Sequence, residues 1–75
     1  MAEDRLHEVH AMVTELWKNY KTCYEIVANT DEWWDRMTGS FSDLADKFKN
    51  DEIALRLAIA MSNDLERICK TRKWN

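Results

Sequence analysis

The feature that most constrains this chain is its shortage of residues that end helices. In 75 residues there is no proline, and the single glycine is Gly39. Proline and glycine are the residues that most often mark turns and helix ends, so a chain that lacks them has few places to turn. The sequence therefore predicts an all-α fold, a bundle of three long helices.

In the first predicted helix, apolar residues recur at alternating intervals of three and four, which is typical of a helix packed along its whole length. The seam consists of Leu6, Val9, Val13, Leu16, Tyr20, Cys23 and Val27. His10, Trp17 and Tyr24 lie beside it and widen it to the face that a bundle helix needs. We expect this helix to span about residues 3–28, with Thr30 as the cap of the next helix.

The second predicted helix spans about residues 31–49. Its seam consists of Trp34, Met37, Phe41, Leu44 and Phe48. The unbroken phase favours one helix that is kinked near Gly39; the alternative is a break there, with a new helix capped by Ser40 or Ser42. Trp33 and Trp34 project about 100° apart. The seam predicts Trp34 in the core and Trp33 at the edge of the bundle or outside it.

The third predicted helix, about residues 52–72, is apolar on two sides. Its seam consists of Ala54, Leu57, Ala58, Met61, Leu65, Ile68 and Cys69. Leu55 and Ile59 lie about 200° from Leu57 and Met61. Because a helix that is apolar on both sides is normally buried on both sides, we expect a second protomer or another protein to cover this face. Trp33, Leu55 and Ile59 are thus the predicted partner or dimer surface.

Composition indicates a single helical domain over residues 1–75. The chain is 45% hydrophobic and 33% charged, which predicts a soluble protein with no membrane segment. The start MAEDRLHEVH lacks the order of a secretory signal, so we expect a cytoplasmic protein. Cys23 and Cys69 fit that compartment as free, core-facing thiols. A domain of this size has only a marginal core, which favours a homodimer.

The chain carries no recognisable catalytic pattern. There is no phosphate-binding glycine loop, nucleophile elbow or cysteine–histidine pair with an orienting acid, so the sequence predicts neither an enzyme nor a cofactor. Glu3, His7 and His10 share one face of the first helix, but a metal site needs a further ligand from another helix. An up-down-up arrangement places Cys23 and Cys69 together at the opposite end, about 20 Å from His10, so we expect no metal site.

Charge is distributed unevenly along the chain. Arg67, Lys70, Arg72 and Lys73 lie in the last turns of the third helix, where cations complement the helix dipole. The alternative is a small nucleic-acid-binding regulator that uses this basic end. Residues 31–52 carry seven acidic and three basic side chains, which disfavours a helix-turn-helix around Gly39. Trp74 follows the basic residues and either covers the bundle end or is solvated.

Four short stretches give the chain a resemblance to a group of small proteins. They are LWKNY in the first helix, DEWWD at the start of the second, KF before the third and NDLERICK in the last. With these stretches the chain resembles small uncharacterised helical proteins from prophage and mobile-element regions of Gram-positive bacteria. The resemblance implies an accessory role in phage biology or host adaptation and no catalytic residues.

Taken together, these patterns predict a non-enzymatic protein-interaction module. Its expected binding surface is apolar and contains tryptophan, because aromatic anchors dominate the binding energy of protein interfaces. The sequence leaves open whether the surface takes a second copy of the chain or a different protein.

Overall fold

The structure, a computed structural model, describes residues 2–73, with side chains from residue 4. It contains three helices, α1 (Ala2–Glu25), α2 (Asp31–Lys47) and α3 (Glu52–Thr71), and no strand within the described residues. The predicted all-α three-helix bundle is confirmed. α2 runs without a break through Gly39, so the alternative of a new helix after Gly39 is wrong. The two expectations for Trp74 lie outside the described residues.

Side-chain caps begin the second and third helices. The Thr30 hydroxyl accepts a hydrogen bond from the Trp33 backbone N–H at 3.2 Å, as predicted, and Asp31 and Glu32 occupy the first turn. Asp51 accepts from the Ile53 N–H at 3.0 Å. Such caps satisfy backbone donors that have no partner inside the helix, so both helix starts are fixed by nearby residues.

α2 ends in two consecutive residues with left-handed backbone. Lys49 has φ 57° and Asn50 has φ 58°. The Lys49 N–H donates to the Asp46 carbonyl and the Asn50 N–H to the Ala45 carbonyl, at 2.9 and 2.8 Å. These two bonds define a Schellman motif, in which glycine normally occupies the position of Lys49. The chain therefore makes this turn with Lys49, although glycine would adopt the left-handed conformation more easily.

α1 and α3 are parallel, as the up-down-up arrangement predicts. Near the start of both helices, the Arg5 guanidinium donates two hydrogen bonds to the Asp51 carboxylate, at 2.7 and 3.1 Å. Near their ends, the Tyr20 hydroxyl donates to Asp64 at 2.7 Å. We call the first region the arginine end, and the opposite region, which holds the α1–α2 connection and Trp33, the tryptophan end.

The core lies between all three helices and is narrower on α1 than predicted. The buried hydrophobic residues are Met12, Leu16, Cys23, Trp33, Met37, Phe41, Ala45, Ala54, Ala58, Leu65 and Cys69. Leu16 and Cys23 confirm part of the predicted α1 seam. Leu6 and Val13, however, are 67% and 42% exposed. The part of the seam that they were predicted to form is therefore wrong, and Met12 fills the core instead.

A contact between α1 and α2 shows how α1 is rotated about its own axis. The Asn19 amide donates to the Ser40 hydroxyl of α2 at 2.9 Å, so the flank of α1 that carries Asn19 faces α2. Met12 lies seven residues earlier, two helical turns along the same flank. The opposite flank of α1, which holds His10, Trp17 and Tyr24, faces solvent. The prediction that these three residues widen the core is wrong.

Candidate protein-binding surface

The adjacent tryptophans of α2 both face the other helices, but Trp33 is more deeply buried than Trp34. Trp33 is 4% exposed, and its indole N–H donates to the Cys23 carbonyl of α1 at 3.0 Å. Trp34 is half-buried, and the Lys70 ammonium of α3 lies 5.8 Å from the centre of one of its rings. The prediction that Trp34 is the core residue and Trp33 the outer one is wrong: Trp33 belongs to the core.

The physical reason is the width of the apolar face of α2. This helix packs against two neighbours, and the two tryptophans lie on either side of the line between them. Trp33 turns toward α1 and Trp34 toward α3. The rings meet edge to face, with 5.7 Å between their centres. Because Trp33 is enclosed by its own protomer, it offers no surface to a partner.

Leu55 and Ile59 line a shallow groove between α2 and α3 with a volume of about 290 Å³. Leu55 is half-buried there, whereas Ile59 is 58% exposed. α3 presents a central row of mainly small residues, Ala54, Ala58, Leu65 and Cys69, to the core. Leu55 therefore lies on the α2 flank of that row and is partly covered within the protomer. The second apolar face of α3 is therefore smaller than expected, because only Ile59 and part of Leu55 are exposed there.

The groove has a mixed lining, which limits its value as an apolar binding surface. Its remaining residues are Thr38, Phe41, Ser42, Ala45, Asp46, Asn50, Ala58 and Ser62. Half of the ten lining residues are polar. The Thr38 and Ser62 hydroxyls already donate to backbone carbonyls of their own helices. A partner there would still face the Asp46 carboxylate and the Asn50 amide, and unpaired polar groups at an interface cost binding energy.

A more extensive apolar surface lies on α1, on the flank turned away from Asn19. It consists of residues at intervals of four and three, which we call the α1 stripe: Leu6, His10, Val13, Trp17, Tyr20 and Tyr24. Trp17 is 53% exposed and Tyr24 is 46% exposed. With Leu6 and Val13, four large apolar side chains of one helix thus lie open along five turns.

The aromatic part of the α1 stripe is ordered by contacts within the protomer. The Trp17 and Tyr20 rings stack with 6.0 Å between centres, and Tyr20 and Tyr24 stack at 6.3 Å. The hydrogen bond that Tyr20 donates to Asp64 raises the pKa of the phenol and lowers that of the carboxyl. At neutral pH the Tyr20 hydroxyl therefore remains a neutral donor to a charged acceptor, which fixes the middle of the stack.

Residues of α3 extend this surface beside the stack. Trp17 and Tyr20 line an open recess of about 310 Å³ together with Ala60, Met61 and Asp64. Its lining is more apolar than that of the groove between α2 and α3. The α1 stripe and this recess form one continuous face made by α1 and α3. Sequence reasoning missed this face because it counted Leu6, Val13, Trp17 and Tyr24 toward the core.

The residues considered for metal binding or reactivity lie apart from one another. His7 and His10 are exposed on α1, and the Glu3 side chain lies outside the described residues. Across the side chains that the structure describes, no group of three or more His, Cys, Asp and Glu residues is placed to hold a metal ion. Cys23 and Cys69 are both buried near the tryptophan end. Burial raises the pKa of the Cys23 thiol, so it stays protonated and unreactive at neutral pH.

Two of the basic residues near the end of α3 are engaged within the protomer. Arg67 forms an ion pair with Asp64, and Lys70 lies over Trp34. Arg72 and Lys73 are exposed. Arg67 and Lys70 are thus occupied by contacts within the protomer.

No protein-family model, curated protein sequence or solved structure matches this chain. Within residues 2–73, none of the three helices is both long enough and apolar enough to cross a membrane.

Proposed function

We propose that this protein is a non-enzymatic interaction module whose binding surface is the α1 stripe. The observation that supports this most directly is the exposure of Leu6, Val13, Trp17 and Tyr24 along one flank of a single helix. Isolated exposed apolar residues are common on protein surfaces, but contiguous apolar patches mark interaction sites. The stacked rings of Trp17, Tyr20 and Tyr24 make the second half of the patch contiguous.

The chemistry of the α1 stripe suits tight binding. Tryptophan and tyrosine are the residues most often found as energetic anchors in protein interfaces. Ordering a flexible side chain during binding costs about 0.5–1.5 kcal/mol. Stacking and the Tyr20–Asp64 hydrogen bond already order these rings in the free protomer, so part of that cost is absent.

This surface replaces the one predicted from the sequence. Trp33 is removed from it because that side chain is buried, and Leu55 with Ile59 form a separate, more polar groove on the α2–α3 side. The tryptophan of the proposed surface is Trp17. The resemblance to prophage and mobile-element proteins suggests an accessory protein that acts by binding and not by catalysis, and the N-terminal sequence favours a cytoplasmic location.

A capture experiment with matched variants tests the proposed function. Affinity-tagged wild type, Trp17→Ala/Tyr24→Ala and Ile59→Ala are incubated with lysate of the source cells, and the retained proteins are quantified by mass spectrometry. Partners should be lost with the α1 variant and retained with Ile59→Ala. Circular dichroism establishes that both variants are folded. Equal retention by all three proteins would remove the α1 stripe as the binding surface.

A further inference from the structure

The spacing of the α1 stripe specifies the shape of what can cover it. Its six residues follow intervals of 4, 3, 4, 3 and 4 from Leu6 to Tyr24. An α-helix rises 1.5 Å per residue, so the stripe is about 27 Å long. Seams of this period pack against another long helix at a crossing angle of about 20°, with side chains interleaved. The spacing therefore calls for a helix of about five turns, which α1 itself provides.

The α1 stripe is also graded in side-chain size along its length. Its second half carries Trp17, Tyr20 and Tyr24, and its first half carries the smaller Leu6, His10 and Val13. Well-packed interfaces place large side chains opposite small ones so that the helices remain evenly spaced. The α1 stripe is thus complementary to itself when reversed.

From this self-complementarity we infer, building on the proposed function, that a second copy of the chain occupies the α1 stripe, with the two α1 helices antiparallel. A two-fold axis between residues 13 and 17 brings Trp17 against Val13 of the second copy and Tyr24 against Leu6 of the second copy. A parallel pair would instead oppose Trp17 to Trp17 and Tyr24 to Tyr24. The helices would then be forced apart at one end and left unfilled at the other.

The area of this face can be compared with that of known interfaces. The α1 stripe is about 27 Å long and one helix, or about 10 Å, wide. The recess on α3 widens it beside Trp17 and Tyr20. Interfaces of standard size bury about 800 Å² per partner. The α1 stripe and the recess therefore supply the apolar centre of such an interface, and the polar residues around them would form its rim.

The polar groups of the α1 stripe can be satisfied in the same arrangement. Reversal places His10 opposite Tyr20 of the second copy. The Tyr20 hydroxyl donates to Asp64 of its own protomer, so its oxygen keeps a lone pair that can accept an imidazole N–H. The groove between α2 and α3 has no comparable self-complementarity, because five of its ten lining residues are polar and it lacks an aromatic row.

Mass measured by light scattering tests the inference. Wild type at concentrations from about 1 μM to about 1 mM should reach twice the chain mass of 9.0 kDa. Trp17→Glu and Leu6→Glu place a charge on exposed parts of the α1 stripe and should be folded monomers. Ile59→Glu, at a residue of similar exposure in the groove, is the matched control and should remain dimeric. Circular dichroism verifies the fold of each variant.

Disulfide cross-linking tests the direction of pairing. In an antiparallel dimer, a mixture of Leu6→Cys and Tyr24→Cys proteins should form the mixed disulfide. Leu6→Cys alone should not cross-link, because its two copies lie about 27 Å apart and a disulfide requires Cα atoms within about 7 Å. Asp43→Cys, exposed on α2, controls for random collision. A Leu6→Cys homodimer would overturn the antiparallel arrangement.

Other outcomes separate this inference from the proposed function. A wild-type monomer across the whole concentration range would overturn the inference. If such a monomer still captured a protein through Trp17 and Tyr24, the proposed function would stand with a different partner; if it captured none, both would fail. A dimer abolished by Ile59→Glu and retained by Trp17→Glu would move self-association to the groove and overturn the inference.

Discussion

At the tryptophan end, Trp33 is 4% exposed and its indole N–H is bonded to the Cys23 carbonyl; at the arginine end, Leu6 is 67% exposed and an ion pair joins Arg5 to Asp51. Residues 4–11 of α1 include no buried side chain, whereas the same helix is anchored by Met12, Leu16 and Cys23 farther along. Apolar burial and a desolvated hydrogen bond stabilise far more than a solvent-exposed ion pair. The two ends of one short bundle therefore differ in local stability.

The largest effect that we expect from this difference is at Trp33. Trp33→Ala removes a buried ring and its hydrogen bond to Cys23, and it should lower the free energy of unfolding by about 3–5 kcal/mol. Urea denaturation followed by circular dichroism measures the change. Trp17→Ala, at a ring that is 53% exposed, is the control and should cost less than about 1 kcal/mol in the monomer. Equal losses in the two variants would remove the distinction between core and surface tryptophans.

A stabilising change is expected at the arginine end. Lys49 has a φ of 57°, a backbone conformation that costs a residue with a side chain about 1 kcal/mol or more and costs glycine little. Lys49→Gly should therefore raise the free energy of unfolding by up to about 1 kcal/mol, measured by thermal or urea denaturation. Asn50→Gly is the comparison, and its gain should be smaller because asparagine tolerates this conformation. A loss of stability with Lys49→Gly would contradict the Schellman turn described above.

The middle of α2 offers a test that involves neither end. An ideal Cβ atom built on Gly39 meets nothing within 4 Å, and the residue lies inside a helix. Gly39→Ala should stabilise the protein by about 0.5–1 kcal/mol through the higher helix propensity of alanine. Gly39→Val should give less, because branching at Cβ lowers helix propensity. A destabilised Gly39→Ala variant, seen as a lower melting temperature, would indicate that α2 needs a flexible point there.

The smallest expected effect concerns the pH dependence of the arginine end. Hydrogen bonds from the Arg5 guanidinium and then from the Ile53 N–H hold the pKa of Asp51 below its usual value. A carboxyl whose pKa is lowered in the folded state stabilises the fold above its unfolded pKa of about 3.9, and this contribution is lost as pH falls through the folded pKa.

Urea titrations at pH 6 and at acid pH should therefore show a smaller loss of stability for Asp51→Asn than for wild type. Asparagine keeps the cap of α3 and removes only the charge. Asp64, whose pKa is lowered by the Tyr20 hydroxyl and by Arg67, contributes a loss that remains in the variant. Identical acid profiles for wild type and Asp51→Asn would show that the ion pair has no net influence on stability.

Helix positions could be predicted from the sequence because they depend on local signals. The absence of proline, the Thr30 and Asp51 caps and the spacing of apolar residues placed all three helices to within three residues at each end. The parallel course of α1 and α3 followed from short connections between three helices. These properties depend on residues that are close together in the sequence, so they can be inferred from the sequence alone.

The rotation of each helix could not be predicted in the same way. α1 carries two neighbouring apolar rows. One is the α1 stripe, from Leu6 to Tyr24, and the other runs from Val9 to Cys23. By its apolar content, either row could have faced the core. The choice depends on contacts between residues far apart in the chain, such as that of Asn19 with Ser40, 21 residues away. Trp33 and Trp34 posed the same problem on α2. A helix that contacts two neighbours has an apolar face wide enough for both tryptophans. The sequence alone does not show which of the two side chains is more deeply buried.

The sequence therefore predicted the chemical character of the candidate surface but assigned it to the wrong residues. An exposed apolar surface with a tryptophan was expected, and one exists, but its tryptophan is Trp17 and not Trp33. Ile59 remains exposed as predicted, whereas Leu55 is half covered by its own protomer. The errors at Trp17 and Trp33 followed from the rotations of α1 and α2, and the error at Leu55 from its position on the α2 flank of α3.

The parallel course of α1 and α3 has a mechanical consequence. Because three helices traverse the molecule, residues 4 and 73 lie at opposite ends of a body whose Cα atoms span 52 × 17 × 16 Å. Tension applied between these residues would act along the helix axes and load the interhelical contacts together in shear. Two antiparallel helices pulled from the same end would separate one turn at a time. Because the number of helices is odd, the bundle would resist tension along its long axis through all of its interhelical contacts at once.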